Sequence, residues 1–264
     1  MSFLPLFLLL LLSRVHISHS SLRLPELYRS FRLRSGRPTK EGHSGSSSGF
    51  DPTRVTQLSW HPRAFLYKGF LSDEECDHLI KLARGKLQKS MVADNVSGKS
   101  IQSQVRTSSG YFLKKGQDSV VRRIENRISR WTFLPKENGE SIHVLHYGPG
   151  QKYEPHFDYF NDKHNIALGG HRMATVLMYL ADVKLGGETV FPSVEPSAQN
   201  KEDSLSKCGK SGFAVKPKKG DALLFFSLHL NASTDTASLH RSCPVIEGEK
   251  WSATCWIHVR RYNQ

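Results

Sequence analysis

Apolar side chains recur at helical spacing in two parts of the chain. The first begins after Ser72, where a Ser-x-x-Glu capping box precedes apolar residues at positions 79, 80, 82 and 83. This pattern predicts a helix from Asp73 to about Ala83. The second part, residues 119–131, carries its apolar side chains on one side and its arginines largely on the other, which predicts an amphipathic helix.

The remaining apolar segments are short and are separated by turn signals such as Pro149-Gly150 and Gly186-Gly187. They predict strands, which cover residues 65–67, 142–147, 172–180, 189–191, 214–216 and 222–227. The end of the chain predicts one more strand, whose alternate residues share a face. On that face lie Lys250, Ser252, Thr254, Trp256 and His258. The pattern predicts a mainly β core with supporting α-helices, interrupted by long polar segments at 90–110 and 193–212.

The first 52 residues differ in composition from the rest. Residues 3–12 are apolar but fall short of the roughly 20 residues that a membrane span needs, so 1–20 is interpreted as a signal peptide or a short N-terminal signal anchor. Residues 21–52 are rich in Arg, Ser and Gly and predict a flexible basic linker. One folded domain is expected over 53–264.

The formal net charge is +13. Such a balance indicates either attraction to acidic partners or a solvated basic surface. The sequence has neither zinc-finger spacing nor an aromatic-basic RNA motif, so no nucleic-acid partner is expected. The pattern does not determine an oligomeric state.

One pair of polar residues suggests a metal centre. His156 and Asp158 are two residues apart, so on an extended strand both side chains point to one face. A third ligand is needed, and His240 is the candidate. Two histidines and one carboxylate form the facial triad of non-haem Fe(II) oxygenases, although two histidines and a carboxylate also hold zinc in hydrolases.

Three motifs extend this interpretation. The stretch from Tyr147 to Phe160, the segment from Gly186 to Pro192 and the segment from Cys243 to Trp251 occur in the order found in prolyl 4-hydroxylases. From about Val55 to its C-terminus the chain resembles that family, most closely its plant members, within the 2-oxoglutarate/Fe(II) dioxygenase superfamily. The resemblance implies a double-stranded β-helix, or jelly roll, with its catalytic core at about 139–260.

The resemblance also implies roles for individual residues. Fe(II) is expected on His156, Asp158 and His240, with O2 and L-ascorbate as the further cosubstrate and reductant. Lys250 corresponds to the lysine that pairs with the distal carboxylate of 2-oxoglutarate, a group that would otherwise be buried without a partner. Tyr147 and Thr189 correspond to residues that help to hold the cosubstrate. The residues that correspond to peptide-groove positions are Glu140, Tyr153, Arg172, Trp256 and His258.

Relatives carry a cysteine at each of the positions of Cys208 and Cys243, so the resemblance implies a disulfide between them and leaves Cys76 and Cys255 as thiols. It also places the chain in the lumen of the endoplasmic reticulum or Golgi, where Asn95 and Asn231 of the two Asn-x-Ser sequons become glycosylation candidates. Attachment to the membrane through the N-terminus stays open.

The function implied is 2-oxoglutarate- and O2-dependent 4-hydroxylation of proline in proline-rich secretory polypeptides, such as cell-wall glycoproteins or signalling peptides. One alternative is a dioxygenase that acts on another residue or on a small metabolite. Another is a non-catalytic binder of proline-rich peptides. The second alternative rests on Arg241-Ser242, which follows His240 where plant relatives commonly carry two glycines.

Overall fold

The computed structural model describes residues 50–94, 97–196 and 205–263. The predicted signal segment 1–20 and the linker up to residue 49 lie outside these ranges. The last part of the predicted linker is described, and its Phe50 packs edge-on against Tyr67 with 5.9 Å between ring centroids. Among the described residues, no helix combines the length and apolarity needed to cross a membrane.

Three helices lie in the described part of the chain, namely α1 (Asp73–Ala83), α2 (Ser119–Thr132) and α3 (Lys163–Gly169). The bounds predicted for α1 are confirmed, and so is its capping box. The Ser72 hydroxyl accepts from the backbone N–H of Glu75, and the Glu75 carboxylate accepts from the backbone N–H of Ser72. Helix α3 was not predicted, because a segment of seven residues is too short to show a readable periodicity.

The strands, numbered in chain order, are β1 (Val55–Trp60), β2 (Arg63–Tyr67), β3 (Gln88–Lys89), β4 (Val92–Ala93), β5 (Ser100–Ile101), β6 (Ser109–Phe112), β7 (His143–Tyr147), β8 (Tyr153–His156), β9 (Arg172–Tyr179), β10 (Leu185–Gly186), β11 (Thr189–Phe191), β12 (Phe213–Val215), β13 (Ala222–Phe226), β14 (His240–Ser242), β15 (Val245–Glu247) and β16 (Lys250–His258). Eight of them form an antiparallel sheet in the order β1-β2-β13-β9-β16-β7-β6-β3. Four more form a sheet in the order β12-β11-β14-β8. The two sheets confirm the predicted jelly-roll core.

The large sheet has two different faces, as expected from the alternation of side chains along a strand. Its outer face packs against α1 and α2 in the main hydrophobic cluster, to which β16 contributes Trp251, Ala253, Cys255 and Ile257. Its inner face packs against the small sheet through a second cluster that includes Tyr179, Phe191 and Phe225. The predicted common face of Lys250, Ser252, Thr254 and Trp256 lines the space between the sheets.

One arginine of α2 is buried rather than exposed to solvent as predicted. Arg127 was expected on the solvent side of the helix, but its side chain is buried. Its guanidinium makes two hydrogen bonds to the carboxylate of Glu75 on α1, at 2.8 and 2.9 Å, and one to the carbonyl oxygen of Phe70. The physical reason is that a buried arginine is tolerated when a carboxylate in good geometry pairs with it.

The polar segment 90–110 was expected to be a long loop, and part of it is ordered into strands. Strands β4 and β5 pair as a short ribbon, and β6 joins the large sheet beside β7. Between them, Arg106 forms an isolated antiparallel bridge with Tyr153. The segment therefore lies along β8, next to the predicted metal ligands.

Candidate active site

Strands β8 and β14 bring the three predicted metal ligands together. The strands are antiparallel neighbours, with His156 directly opposite His240, and Asp158 follows β8 by two residues. The Nε2 atom of each histidine lies 3.7 Å from a carboxylate oxygen of Asp158. One ligand atom from each residue lies within 4.8 Å of the other two, which is a spacing that one metal ion can span.

Hydrogen bonds hold both imidazole rings in the form that a metal needs. The Nδ1 atom of His156 lies 2.8 Å from the carbonyl oxygen of Glu154, and that of His240 lies 3.0 Å from the carbonyl oxygen of Ser238. A carbonyl oxygen only accepts, so each Nδ1 carries the proton and each Nε2 presents its lone pair to the centre. The donor set therefore fits Fe(II).

Burial and the proximity of the two histidines also favour a neutral imidazole at His156. Burial, together with the neighbouring His240, lowers the pKa of His156 to about 3, so its ring is neutral. Burial by itself would raise the pKa of Asp158, but the positive charge of Arg172 and the hydrogen bond from the Thr175 hydroxyl help to hold it below its usual value. Thr175 donates to the Asp158 carboxylate at 2.6 Å and fixes its orientation.

Lys250 lies in the same pocket and is 1% exposed. Its ammonium group donates to the carbonyl oxygen of Gly187 at 2.7 Å and to the hydroxyl of Ser242 at 3.0 Å. Among the residues that the structure describes, no carboxylate forms an ion pair with it. Burial lowers the pKa of Lys250 to about 7, and Glu188 offsets only part of this effect. A buried ammonium group without an ionic partner fits an anionic ligand.

The two residues predicted to assist Lys250 lie beside it. Tyr147 is directly opposite Lys250 across the β7–β16 pair, and its ring centroid is 5.5 Å from the ammonium nitrogen. Thr189 accepts a hydrogen bond from the hydroxyl of Tyr179 at 3.0 Å. Sequence reasoning missed Tyr179, although the alternation along β9 puts it on the face of Thr175. Tyr147, Thr189 and Lys250 line one pocket together with the predicted metal ligands.

Tyr153, a predicted peptide-groove residue, covers one metal ligand. Its ring stacks on His156 with 3.5 Å between centroids. Arg106, from the ordered polar segment, places its guanidinium carbon 4.7 Å from the centroid of the Tyr153 ring and donates to the carbonyl oxygen of Met91. Sequence reasoning missed Arg106, because nothing in its local pattern distinguishes it from the exposed polar residues around it.

The other four predicted groove residues form one network. The carboxylate of Glu140 accepts from Arg172 Nε at 2.6 Å and lies 2.8 Å from His258 Nε2. Arg172 also places its guanidinium carbon 4.0 Å from the centroid of the Trp256 ring. Trp256 and Thr175 line the pocket, whereas His258 has no exposed surface. Glu140 and His258 thus hold Arg172 against Trp256, and contact with a substrate stays a prediction for all four.

The Arg241 side chain, which follows the predicted ligand His240, bonds a neighbouring segment. Its guanidinium bonds the hydroxyl of Ser211 and approaches the carbonyl oxygen of Cys208 at 3.4 Å. Arg241 nevertheless lines part of the active-site pocket, together with His240 and Ser242. The predicted disulfide is confirmed: Cys208 and Cys243 are bonded, with Cα atoms 5.8 Å apart.

The remaining predicted sites divide between described and undescribed residues. Cys76 and Cys255 are buried free thiols, as predicted. Asn231 is exposed, and its side-chain oxygen accepts from the backbone and hydroxyl of Ser233. Asn95 lies outside the described residues. Glycosylation of either asparagine stays a prediction.

Comparison with known proteins places this geometry in context. Residues 142–258 match the model of the 2OG-Fe(II) oxygenase superfamily. The chain is 66% identical over 239 residues to probable prolyl 4-hydroxylase 7 of Arabidopsis thaliana. That alignment covers 90% of this chain and 76% of the Arabidopsis protein. The chain is 60% identical over 225 residues to Arabidopsis prolyl 4-hydroxylase 2, with 84% of this chain and 75% of that protein covered.

A solved structure shares the fold. A viral collagen prolyl hydroxylase from Paramecium bursaria Chlorella virus-1, crystallised with 2OG, aligns with a TM-score of 0.54 and 29% sequence identity. The alignment covers 74% of this chain and 94% of the viral one.

Proposed function

Because this chain belongs to the 2OG-Fe(II) oxygenase superfamily and, within it, to the plant-type prolyl 4-hydroxylases, we propose that it hydroxylates C4 of proline residues in proline-rich secretory polypeptides. One observation carries the proposal. A facial set of His156, Asp158 and His240 shares a single pocket with Lys250, a buried cation without an ionic partner in the described structure. This combination suits a cosubstrate that chelates iron at one end and carries a carboxylate at the other.

His156, Asp158 and His240 would hold the iron, and Lys250 would hold the cosubstrate. When bound, Fe(II) with 2-oxoglutarate and O2 supplies the oxidation that inserts one oxygen atom at proline and releases succinate and CO2. The chain itself positions the groups that would hold the iron. Thr175 orients the carboxylate ligand, and the two backbone carbonyls fix the imidazole tautomers. L-ascorbate is proposed as the reductant that keeps the iron in its ferrous state.

Lys250 supplies the charge that the distal carboxylate of 2-oxoglutarate requires. The Gly187 carbonyl and the Ser242 hydroxyl already hold its ammonium group in place, so little side-chain freedom is lost when the ligand binds. Tyr147 and Thr189 provide hydroxyl groups in the same pocket. The site thus offers both a fixed cation and neutral donors for one carboxylate.

The wall of the pocket supports a proline-rich substrate. Proline has no backbone N–H, so a polyproline II segment presents carbonyl acceptors and ring surfaces to its receptor. The indole N–H of Trp256 and the Nε–H of Arg106 are buried without a hydrogen-bond partner in the described structure. Both groups donate, and together with the ring of Tyr153 they match the aromatic grooves that recognise such segments.

A lumenal location is part of the proposal. The Cys208–Cys243 disulfide supports it, because disulfides form and persist in oxidising compartments. The endoplasmic reticulum and Golgi are such compartments and carry secretory polypeptides. Fractionation of tagged full-length chain would test this, and recovery in the cytosol would contradict it.

The activity has a direct test. Full-length chain with Fe(II), ascorbate and O2 is incubated with 2-oxoglutarate and a proline-rich peptide, and succinate and peptide mass are both measured. We expect succinate to form in step with a 16 Da gain on proline. The matched control peptide replaces each proline by alanine, and the matched enzyme is Asp158→Ala.

Two results would contradict the proposal. Equal succinate release with both peptides, and no mass gain, would point to a small-molecule or other acceptor. Peptide binding without any succinate would indicate a binder that does not turn over.

A further inference from the structure

A second, larger cleft lies on the opposite side of β16 from the active site. Its volume is about 710 Å³. It is bounded by α2, by the segment 134–137 and by residues 261–263. Nothing in the proposed hydroxylation uses this space, which we call the rear cleft. Small-molecule pockets typically enclose about 300–1000 Å³, so the rear cleft has the volume of a ligand-binding pocket.

Cations dominate the rim of the rear cleft. The rim carries Lys114, Lys115, Arg122, Lys136 and Arg261, all of which are exposed. None of these five side chains forms a salt bridge with any residue that the structure describes. A rim of unpaired cations attracts a ligand that brings carboxylates.

The carboxylates in the cleft do not balance this charge. Glu140 lines the cleft, but its carboxylate is committed to Arg172 and His258 on the active-site side. Glu125 is half-buried, and both of its oxygens accept from the backbone N–H of Gly116, at 3.0 and 3.1 Å. Glu137 is exposed. Five cations therefore face two carboxylates, and the cleft keeps an excess of positive charge.

The floor of the rear cleft is apolar. Ile128, Leu134 and Ile257 line it, with Pro135 and Tyr262 beside them. The ammonium nitrogen of Lys115 lies 5.7 Å from the centroid of the Tyr262 ring, so the aromatic side chain joins the floor to the rim. A ligand for this surface needs apolar side chains as well as negative charge. An acidic polypeptide has both, whereas an acidic polysaccharide has no aliphatic side chains.

The rear cleft and the active site share a wall that is one strand thick. Cys255 and Ile257 line the cleft, whereas Trp256, which alternates with them along β16, lines the active-site pocket. The backbone of Glu140 pairs with this strand, because its N–H donates to the Trp256 carbonyl oxygen at 2.8 Å. A ligand in the cleft would therefore lie directly behind the residues predicted to contact the substrate.

We propose that the rear cleft binds an extended acidic segment of a partner polypeptide, with carboxylates on the cationic rim and aliphatic side chains on the apolar floor. The site is separate from the hydroxylation chemistry, so failure of the proposed function would not contradict this proposal. Its occupant is recognised by alternating acidic and apolar residues rather than by proline.

Binding of a fluorescein-labelled Glu-Leu repeat peptide to the full chain tests the proposal. Fluorescence anisotropy is measured with saturating Fe(II) and 2-oxoglutarate under anaerobic conditions, so that Lys250 is already occupied. We expect saturable binding that weakens about tenfold in Lys115→Glu/Lys136→Glu and at raised salt. A Gln-Leu peptide of the same length is expected to bind at least about tenfold more weakly.

A matched variant separates the cleft from the general positive charge. Lys68→Glu/Lys216→Glu reverses two exposed lysines that do not line the cleft and changes the net charge equally. This variant should bind as the unchanged chain does, and circular dichroism verifies that both variants are folded.

Three outcomes would overturn the proposal. They are equal weakening in the two double variants, equal binding of the Gln-Leu peptide, and tighter binding of an unlabelled uronic acid oligomer in competition. Leu134→Asp adds a test of the floor: unchanged peptide affinity in this variant would also contradict the assignment.

Discussion

The ammonium nitrogen of Lys250 lies 3.0 Å from the hydroxyl oxygen of Ser242, two residues beyond the metal ligand His240. Strand β14 therefore carries both one of the proposed iron ligands and one support of the lysine that we propose as the cosubstrate anchor. The two ends of the cosubstrate would be held by one short strand, so a shift of β14 affects both. The first predictions address these two ends.

Removal of the Lys250 charge should weaken 2-oxoglutarate binding while the iron site is retained. Lys250→Met keeps most of the side-chain volume, so the lost affinity reports the charge. Loss of one partner of a buried pair costs about 3–5 kcal/mol, which corresponds to a drop of at least about a hundredfold in affinity. Anaerobic titration with 2-oxoglutarate measures this effect, and Fe(II) titration provides the control. Unchanged 2-oxoglutarate affinity would remove Lys250 from the site.

The affinity for 2-oxoglutarate should depend on pH. Burial lowers the pKa of free Lys250 to about 7, and a bound carboxylate raises it again. Below pH about 7 the ammonium is already charged and affinity is flat. Above that pH the ligand binds with uptake of one proton, so affinity falls by up to about tenfold per pH unit. Calorimetry in buffers of different ionisation enthalpy measures the uptake, and Lys250→Met should show none.

Substitution of a metal ligand should be more damaging to activity than substitution of Thr175, which supports one of the ligands. His156→Ala, Asp158→Ala and His240→Ala each remove one of three ligands and should abolish peptide-dependent turnover. Thr175→Val removes only the hydrogen bond to Asp158, so we expect metal affinity to fall about 10–100-fold. Titration with metal, monitored by calorimetry, distinguishes the ligand variants from Thr175→Val. Thr132→Val is the matched control, since Thr132 is also buried but bonds only backbone groups, the carbonyl oxygen of Ile128 and the N–H of Leu134. Equal loss of metal affinity there would argue against a specific role for Thr175.

The pair of Glu75 and Arg127 should be important for stability rather than for activity. Arg127→Ala leaves the Glu75 carboxylate buried without its cation, and we expect the free energy of unfolding to fall by about 3–5 kcal/mol. Glu75→Gln/Arg127→Met removes both charges and should cost less than the single change. Urea unfolding measures both. Arg123→Ala, at an exposed position of the same helix, should change stability by no more than about 0.5 kcal/mol.

Reduction of the Cys208–Cys243 disulfide should affect the iron site before the fold. The bridge spans 35 residues and ends three residues beyond His240. The chain-entropy relation gives about 3–4 kcal/mol for such a loop, and the bond also restrains the segment that presents His240. Iron affinity with and without reductant, measured below the melting temperature, tests this. Reductant should have no effect on Cys208→Ala/Cys243→Ala, and unchanged iron affinity in the reduced parent chain would contradict the prediction.

Local patterns were sufficient for the elements that carry their own signal. The capping box of Ser72 and Glu75 is a local hydrogen-bond motif, so the start of α1 followed from four residues. The alternation along β16 placed Lys250 and Trp256 on one face, because side-chain direction along a strand depends only on position. The metal ligands followed from spacing together with the resemblance to prolyl 4-hydroxylases.

Long-range partners were not available from such patterns. Arg127 was predicted on the solvent side of its helix, and Arg106 lies in a segment predicted as a polar loop. Both are buried, because Glu75 pairs with Arg127 and the ring of Tyr153 packs near Arg106. The bond between Arg241 and Ser211 likewise joins residues 30 positions apart, so it was not readable from the local sequence. The burial of a charge depends on its partner, and periodicity does not identify partners.

The sequence by itself determined the class of the fold and the disulfide, and it predicted the metal-ligand triad and the anchor lysine, because each is encoded by residue type at a fixed spacing or by a motif shared with the family. Tertiary structure alone decided that Glu140 and His258 hold Arg172 against Trp256, that Tyr179 donates to Thr189, and that a cationic cleft lies behind β16. These features arise where separate segments meet. Their energies come from burial and pairing between those segments, which no single stretch of the chain contains.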